Sequence, residues 1–542
     1  MASEPFVIQL ESFDGGFAAS PYTGAENQYS DAFYCDHWTE PGTLMSIPSI
    51  REFEITSSAS YKAMLLAVTR TTDASKKYVG VAATNASYTL SFVQLNEGDA
   101  TFTPLVRLDS YYQTAPSLTG RYPNPILEYA DDLLTASATT LIQNSQWATG
   151  ASLYTSAGNW TGAVSDIIEN FGYAYVSKVA SSNSSPGAIA RYDLVTSASL
   201  VSDGASMLDP AVQLSPGWGP TCMANFGDYI AISALKTTQV DLLAWSLLDG
   251  SRIYIWDGIS NTFDKKVEVP GETITAIYTA GGQLYAFSSK PGGISILRYA
   301  GGDVFQTVGF LPCNTGRTVD TDVTDTQVPF VRKQAISCWG SKLYIGVTVN
   351  GGTNSNGNLF TFDTKTGVVD LILRPSSTST HTVFFNNEIN FASFQTASNA
   401  SFHYKMGNTP ALHSEFRVTS TTRFAPMGKK MKIKRILVRH SYLASSSDYI
   451  NLYLNYNITG SPRTVGATQV LNATGSSLNT PGIGDNAAYE HAYTFQQTDG
   501  TPMPLLDSFN LSMHVVSDFA AYHNPRVFLP IVIEGEYIDS PN

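Results

Sequence analysis

At 542 residues, 43% hydrophobic and only 14% charged, the chain is long enough for two or three domains and a sizeable core. No apolar run approaches the roughly 20 residues that span a bilayer, so membrane insertion is not expected. The net charge of −13 disfavours gripping nucleic acid, whose phosphates need Lys and Arg, but leaves room for nucleic acid to pass without sticking. Ten Lys/Arg and ten Asp/Glu fall within 410–542, so 22 of the 32 basic and 35 of the 45 acidic residues lie in 1–409, which carries the whole excess.

The first fifty residues follow no repeat. Phe6–Leu10 reads as a short strand, followed by the turn Phe13-Asp14-Gly15-Gly16-Phe17, the aromatic cluster Phe33–Trp38 and the closing turn Pro41-Gly42-Thr43-Leu44. Such an extended arm adds strands to a neighbouring domain or lies across a second subunit. Met1–Pro5 lacks the basic and apolar regions of a secretory signal. The four cysteines, Cys35, Cys222, Cys313 and Cys338, show neither metal spacing nor a dense disulfide pattern. Free buried thiols and folding in a cytosol are expected, and seven Asn-x-Ser/Thr sequons are read as accidents of composition.

From residue 51 to 409 the chain repeats itself. A Gly- or Asn-bearing turn followed by an aromatic strand occurs at Asn170–Tyr175, Phe226–Ala231, Gly281–Ala286, Gly340–Ile345 and Asn386–Phe391. The turn residues 172, 227, 282, 340 and 386 lie 55, 55, 58 and 46 apart. A second half-motif follows: Ile189–Asp193, Ile253–Asp257, Ile296–Ala300 and Leu359–Asp363 each precede a polar turn and another apolar strand. Period-two alternation on both sides of a turn is a hairpin, so each unit is an inner strand pair and an outer hairpin. Earlier units fit at Tyr78–Val106 and Leu133–Tyr154. Units of this length and order predict a β-propeller of six or seven blades. Kelch repeats share the Gly-Gly, tyrosine and aromatic-Asp order, as a similarity of architecture.

From about 410 the pattern changes. Phe416–Val418, Lys432–Val438, Ile450–Leu454 and Phe509–Met513 read as strands of a separate sandwich of jelly-roll type spanning 410–542. The last strand, Val527–Tyr537, carries Pro530, which cannot donate to a ladder and predicts an edge or a bulge. The expected whole is therefore all-β: an arm over 1–50, a propeller over 51–409 and a sandwich over 410–542.

Little in this sequence has the form of a catalytic site. The Ser-x-Asp-x-Gly-x-Thr-Trp box of sialidases is absent, as are a Gly-x-Ser-x-Gly elbow, a His-Glu-x-x-His helix and a phosphate loop. Paired carboxylates brought together from different blades would be invisible in one dimension. On this reading no enzymatic activity, cofactor or resident metal is expected. Asp320, Asp322 and Asp325 have oxygen ligands for Ca²⁺ but lack the Gly and closing Glu of an EF-hand, and are read as a solvated turn. His37, His381, His403 and His523 are scattered and read as no ligand set. Lys430, Lys432 and Lys434 share one face of the only basic strand, a solvated outer face or a docking face for an acidic partner subunit or a phosphate backbone.

The three-part order resembles the structural proteins of tailed-phage virions. The arm Gly15-Gly16-Phe17 … Glu26-Asn27-Gln28 … Pro41-Gly42-Thr43-Leu44 looks like the opening of such proteins. A propeller then follows, as in the nozzle or hub proteins of short-tailed phages, and the Lys-Ile-Lys-Arg-Ile and Val-Ile-Glu-Gly-Glu-Tyr strands are similar to virion modules. The resemblance implies a ring of identical subunits, such as a hexamer, at the end of a tail tube, made in the host cytoplasm and bound to an adaptor ring. Viral DNA would pass through an acidic lumen without specific binding. Two other readings stay open: a glycan- or receptor-binding propeller, with Trp160, Trp218, Trp256 or Trp339 stacking on sugars, and a capsid decoration protein.

Overall fold

The computed structural model contains strands and no helix among the described residues. Side chains are described within 3–47, 164–179, 185–192, 208–236, 250–290, 293–312, 329–347, 359–372, 414–457, 464–466, 489–496, 502–516 and 526–539; elsewhere only the backbone of the strands named below is described. The chain divides into two compact units, Arg51–Gly367 with Arg374–Lys405, and Met1–Ile50 with Val368–Leu373 and Met406–Asn542.

The larger unit is built from four-stranded antiparallel sheets whose strands follow one another in chain order, the blades of a β-propeller. Their first strands are Tyr61–Thr69, Ile126–Tyr129, Val164–Asn170, Trp218–Phe226, Thr273–Ala280, Pro329–Trp339 and Ser379–Asn386. Each neighbours the next, and the last neighbours the first. The sheet opening at Ser379 brings three strands of its own, and Ile50–Phe53 supplies the fourth from the other end of the chain.

The repeated turn joins the first and second strands of a blade. Asn170 pairs with Tyr173 and Ala280 with Gln283, so only two residues make each connection. Phe171 and Gly172 have φ of 52° and 80°, Gly281 and Gly282 55° and 75°: the mirror-image turn that matches strand twist and favours glycine. The second half-motif works through its aspartate. Asp257 Oδ1 accepts from the N–H groups of Ile259 and Ser260, each at 2.8 Å, and Asp363 Oδ1 accepts from Lys365 N at 2.8 Å, so each carboxylate folds the turn after its own strand.

Alternation then sends successive side chains to opposite blade interfaces. Ile230, Ile232, Tyr254 and Trp256 pack with Ile168, Tyr175 and Ile189 of the preceding blade. Ala231, Ile253 and Ile255 pack instead with Ile274, Ile277, Leu284 and Leu297 of the following one. Trp256 is fully buried, donates from Nε1 to Ser260 O at 2.7 Å and meets the Tyr175 ring edge-on at 5.6 Å. Tyr175 Oη in turn donates to Gly258 O at 3.2 Å. Gly258 has φ +77°, and a Cβ there would lie 2.7 Å from Tyr175 Oη. Gly258→Ala should therefore cost about 1–3 kcal/mol, from left-handed strain plus displacement of Tyr175, as read from the urea midpoint.

In the second unit the opening strands are sheet strands. One sheet runs Cys35–Asp36, Thr43–Ser46, Val527–Asp539, Lys429–His440, Tyr489–Tyr493, with Ser3–Leu10 also on Val527–Asp539. Ser3 to Leu10 pair residue by residue with Ile538 to Ile531. The other runs Tyr29–Phe33, Glu415–Ser420, Ser508–Val516, Tyr449–Ile458, Ser461–Gly466. Buried Met431, Ile433, Ile436, Val438 and Ile533 line the first sheet, and Phe416, Ile450, Leu452, Leu511 and Met513 the second. Tyr493 Oη donates from the first sheet to Ile450 O of the second at 3.0 Å. Pro530 sits where pairing with Lys429–His440 shifts register between Leu437 and Arg439, the bulge its missing N–H predicts. Gly16, at φ +73°, is needed because a Cβ would lie 2.3 Å from Val369 O, which accepts from Phe17 N at 2.6 Å.

Candidate functional site

The basic strand has the alternation its sequence shows, up to one interruption. Met431 and Ile433 are buried and Lys432 is exposed. A register shift between Ile433 and Arg435 then turns Lys434 and Arg435 both outward. Lys430 pairs with Asp507 at 3.2 Å, Lys434 with Glu536, Arg435 with Glu534 at 2.6 Å and Lys429 with Glu4. Lys432 stands opposite Glu536 in the ladder. An acidic partner at this edge would have to exchange with carboxylates already supplied by the unit itself.

A buried ionic group lies on the first strands of the propeller unit. Asp166 follows the register shift in Val164–Asn170, and its carboxylate is almost wholly buried. Asp166 Oδ1 accepts from Ile167 N at 2.9 Å, and Oδ2 from Met223 N and Lys333 Nζ, both at 2.7 Å. Lys333 belongs to the first strand of a blade two blades beyond its immediate neighbour in chain order, so the pair ties non-adjacent blades together. The same register shift recurs in Trp218–Phe226, between Pro220 and Cys222, and in Thr273–Ala280, between Ile274 and Ala276. There, too, a side chain at the bulge accepts an N–H from the next blade: Ile277 N donates to Cys222 Sγ at 3.2 Å, and Val331 N to Thr275 Oγ1 at 3.3 Å. The bulges thus form a belt of side-chain acceptors around the first strands.

Burial pushes the Cys222 thiol up to about 12, with nearby Asp166 adding to the effect and Lys333 opposing it. This is the opposite of the lowered thiol a nucleophile needs. Arg332, buried beside Lys333, is lowered by burial to about 10 and still carries its charge at neutral pH. With three donors on one carboxylate, the Asp166 group is built as a strut.

A second buried cluster lies in the other unit. Asp370 Oδ1 meets His37 Nε2 at 2.9 Å and accepts from Tyr29 Oη at 3.2 Å, while Tyr29 Oη accepts from Leu371 N at 3.0 Å. Burial, then the Asp370 charge, holds the Tyr29 hydroxyl well above its usual range, and burial does the same to Cys35. His37 is thus placed in a hydrogen-bonded and aromatic cluster, edge-on to Tyr29 at 5.3 Å and to Trp38 at 5.0 Å.

Three further histidines, His440, His491 and His514, are lowered chiefly by burial and give this unit an acid response. Burial holds His440 below its ordinary value of 6.5, against the opposing bond from Nδ1 to Ser441 O at 2.6 Å, and burial lowers His491 as well. A histidine lowered in the folded state binds fewer protons folded than unfolded, so its contribution is complete above the unfolded value and lost as pH falls below it. The urea midpoint of this unit should hold steady from about pH 8 to 7 and decline as pH falls below about 6.5, and His440→Gln should flatten part of that decline.

Trp256 is buried at a blade interface and Trp218 is buried beneath the Arg252 guanidinium at 3.8 Å, so both serve packing. Trp339 is half exposed. Trp160, the Asp320, Asp322 and Asp325 loop, Cys313, His523 and the side chains of His381 and His403 lie outside the described residues. Among the described residues no group of His, Cys, Asp and Glu has a metal-holding arrangement, and no helix is long and apolar enough to cross a membrane. Sequence reading missed Asp166–Lys333 and His37–Asp370 because their partners are 167 and 333 residues apart. The one local sign was a hydroxyl six residues before the first turn residue in successive repeats, at Ser165, Thr221 and Thr275.

No family model matches the chain, and no curated protein matches it. Solved structures do resemble it. The β-propeller domain of the Trilobed protease from Pyrococcus furiosus is 9% identical, covering 64% of this chain and 96% of that one with a TM-score of 0.37. An exo-β-1,3-galactanase from Phanerochaete chrysosporium is 10% identical, covering 70% and 97% with a TM-score of 0.30. The Dos1 propeller is 10% identical, covering 66% and 96% with a TM-score of 0.41. At these values the likeness carries no activity to this chain. It does correct the expectation of no enzymatic activity, because structures of this kind include a galactanase and a protease's propeller domain. Missing linear motifs were a weak ground for that expectation, since a site assembled from separate blades leaves none.

Proposed function

We propose that the chain is a structural subunit of a tailed-phage virion, a ring-forming component at the end of the tail. In this reading the larger unit is a closed seven-bladed propeller, and the two sheets of the other unit pack as a β-sandwich. The observation that supports it is the double closure of the chain. Ile50–Phe53 completes the blade that opens at Ser379, and Ser3–Leu10 pairs with Val527–Asp539 along eight successive residues. Each closure joins strands far apart in the chain and so ties the early segments into the folded units, as a subunit held by neighbours on several sides requires. The setting in a virion rests on the resemblance of the arm and terminal strands, with an adaptor ring and passing DNA as its partners. Lys430, Lys432 and Lys434 are the proposed docking edge, engaged by exchange of their own carboxylates.

Light scattering with negative-stain microscopy, on the protein alone and mixed with adaptor protein, tests this. Closed rings of one order are the expected result. A monomer under every condition, including with the adaptor, would overturn it.

A further inference from the structure

Among the described residues, Ser3–Leu10 pairs with Val527–Asp539 and with no second strand, so its far side is a free edge of the sheet. Pro5 shows which backbone groups that edge presents, because a proline in a ladder sits with its missing N–H toward solvent. By alternation Val7 and Gln9 turn both N–H and C=O to the same side. Free edges are commonly blunted by a lysine, a proline or a bulge. From Phe6 to Leu10 this one has none of the three, and its register with the neighbouring strand is unbroken. Val7 is 61% exposed on it.

A groove of about 480 Å³ runs beside this edge. Val7, Ile8 and Gln9 line it in succession, although Ile8 lies on the half-buried face of the strand and its two neighbours on the exposed one. The groove therefore follows the backbone and not either face. Its other wall comes from Glu11 and Ser12 and from Glu26 and Asn27. The charge there is one-sided. Glu11 is exposed, and Asp14 accepts only from the neutral Ser12 Oγ and Asn27 Nδ2, at 2.6 and 2.9 Å. Glu26 meets Arg423 at 3.0 Å. Three carboxylates against one guanidinium leave this wall acidic. A second copy seated edge to edge would bring the same carboxylates together, which disfavours self-pairing.

We propose that this edge takes up an extended segment of a partner protein as an added strand, with basic and apolar side chains alternating along it. The backbone ladder holds the segment, Val7 meets its apolar side chains, and Glu11, Asp14 and Glu26 select the basic ones. The proposal does not rest on the virion reading.

Fluorescence anisotropy with the full chain tests it, using a labelled peptide of alternating Lys and Val matched to the eight residues of Ser3–Leu10. Saturable binding is expected. The same peptide fully N-methylated keeps its charges but has no ladder donor, and should bind at least about tenfold more weakly. A peptide of alternating Glu and Val should not bind. Val7→Pro removes an outward N–H and should weaken binding at least about tenfold. Glu11→Lys, at an exposed position that leaves the fold intact, should weaken it several-fold, with the difference fading at high salt. No binding of the Lys/Val peptide at millimolar concentration would overturn the proposal. Equal binding of the N-methylated peptide would also overturn it, by showing attraction through charge alone. Self-association that Val7→Pro abolishes, without peptide binding, would assign the edge to a second copy instead.

Discussion

Replacing Asp166 by alanine should lower the unfolding free energy by about 3–5 kcal/mol, because it strands Lys333 and two backbone N–H groups without an acceptor. The Asp166 side chain is 3% exposed and that of Lys333 22%, so solvent can rescue the lysine only in part. Lys333→Met should cost less, since Asp166 keeps the donors from Ile167 and Met223. Combining Asp166→Ala with Lys333→Met should recover part of the loss, and a double-mutant cycle measures the coupling. Urea unfolding followed by tryptophan fluorescence suits the measurement, because Trp218 and Trp256 are buried in this unit. A loss below about 1 kcal/mol for Asp166→Ala would mean that the strut contributes no more than a surface pair.

The comparable loss at a blade interface is Trp256→Ala, expected to cost about 3–5 kcal/mol by leaving a cavity where a fully buried indole stood. The residue fills the space against Tyr175, Tyr254 and Ile230, and its N–H satisfies Ser260 O in the turn beyond. Trp256→Phe keeps most of the volume and should cost about 1–2 kcal/mol, chiefly from the carbonyl left without its donor. A thermal melt separates the two: a large downward shift for alanine and a smaller one for phenylalanine. Equal shifts would mean that the hydrogen bond to the turn matters more than packing.

Much of the fold was legible because it is written in local periodicity. The Gly172, Gly227 and Gly282 turns mark the first hairpin of three blades, since a two-residue connection needs positive φ at fixed places. Asp257 and Asp363 mark the second hairpin because a short carboxylate reaches only the N–H groups just after it. Pro530 announced its bulge through the donor it lacks. Within the basic strand, burial of Met431 and Ile433 against exposure of Lys432 followed from the two-residue period.

The sites were a different matter. Lys434 and Arg435 face outward together because the partner strand slips by one residue, a property of the pair and of neither strand alone. Asp166 meets Lys333, and His37 meets Asp370, because the chain returns after 167 and 333 residues to the same buried place. Asn455, Thr464 and Asn510 form one hydrogen-bonded row only because the register of three strands brings them side by side. Sequence by itself determined which segments are strands, where they turn and which face of each is apolar, since these depend on covalent geometry and neighbours a few residues away. Only the tertiary structure decided which charges are paired, which carboxylate is buried and where polar groups converge, since these depend on distances in space that sequence separation does not encode.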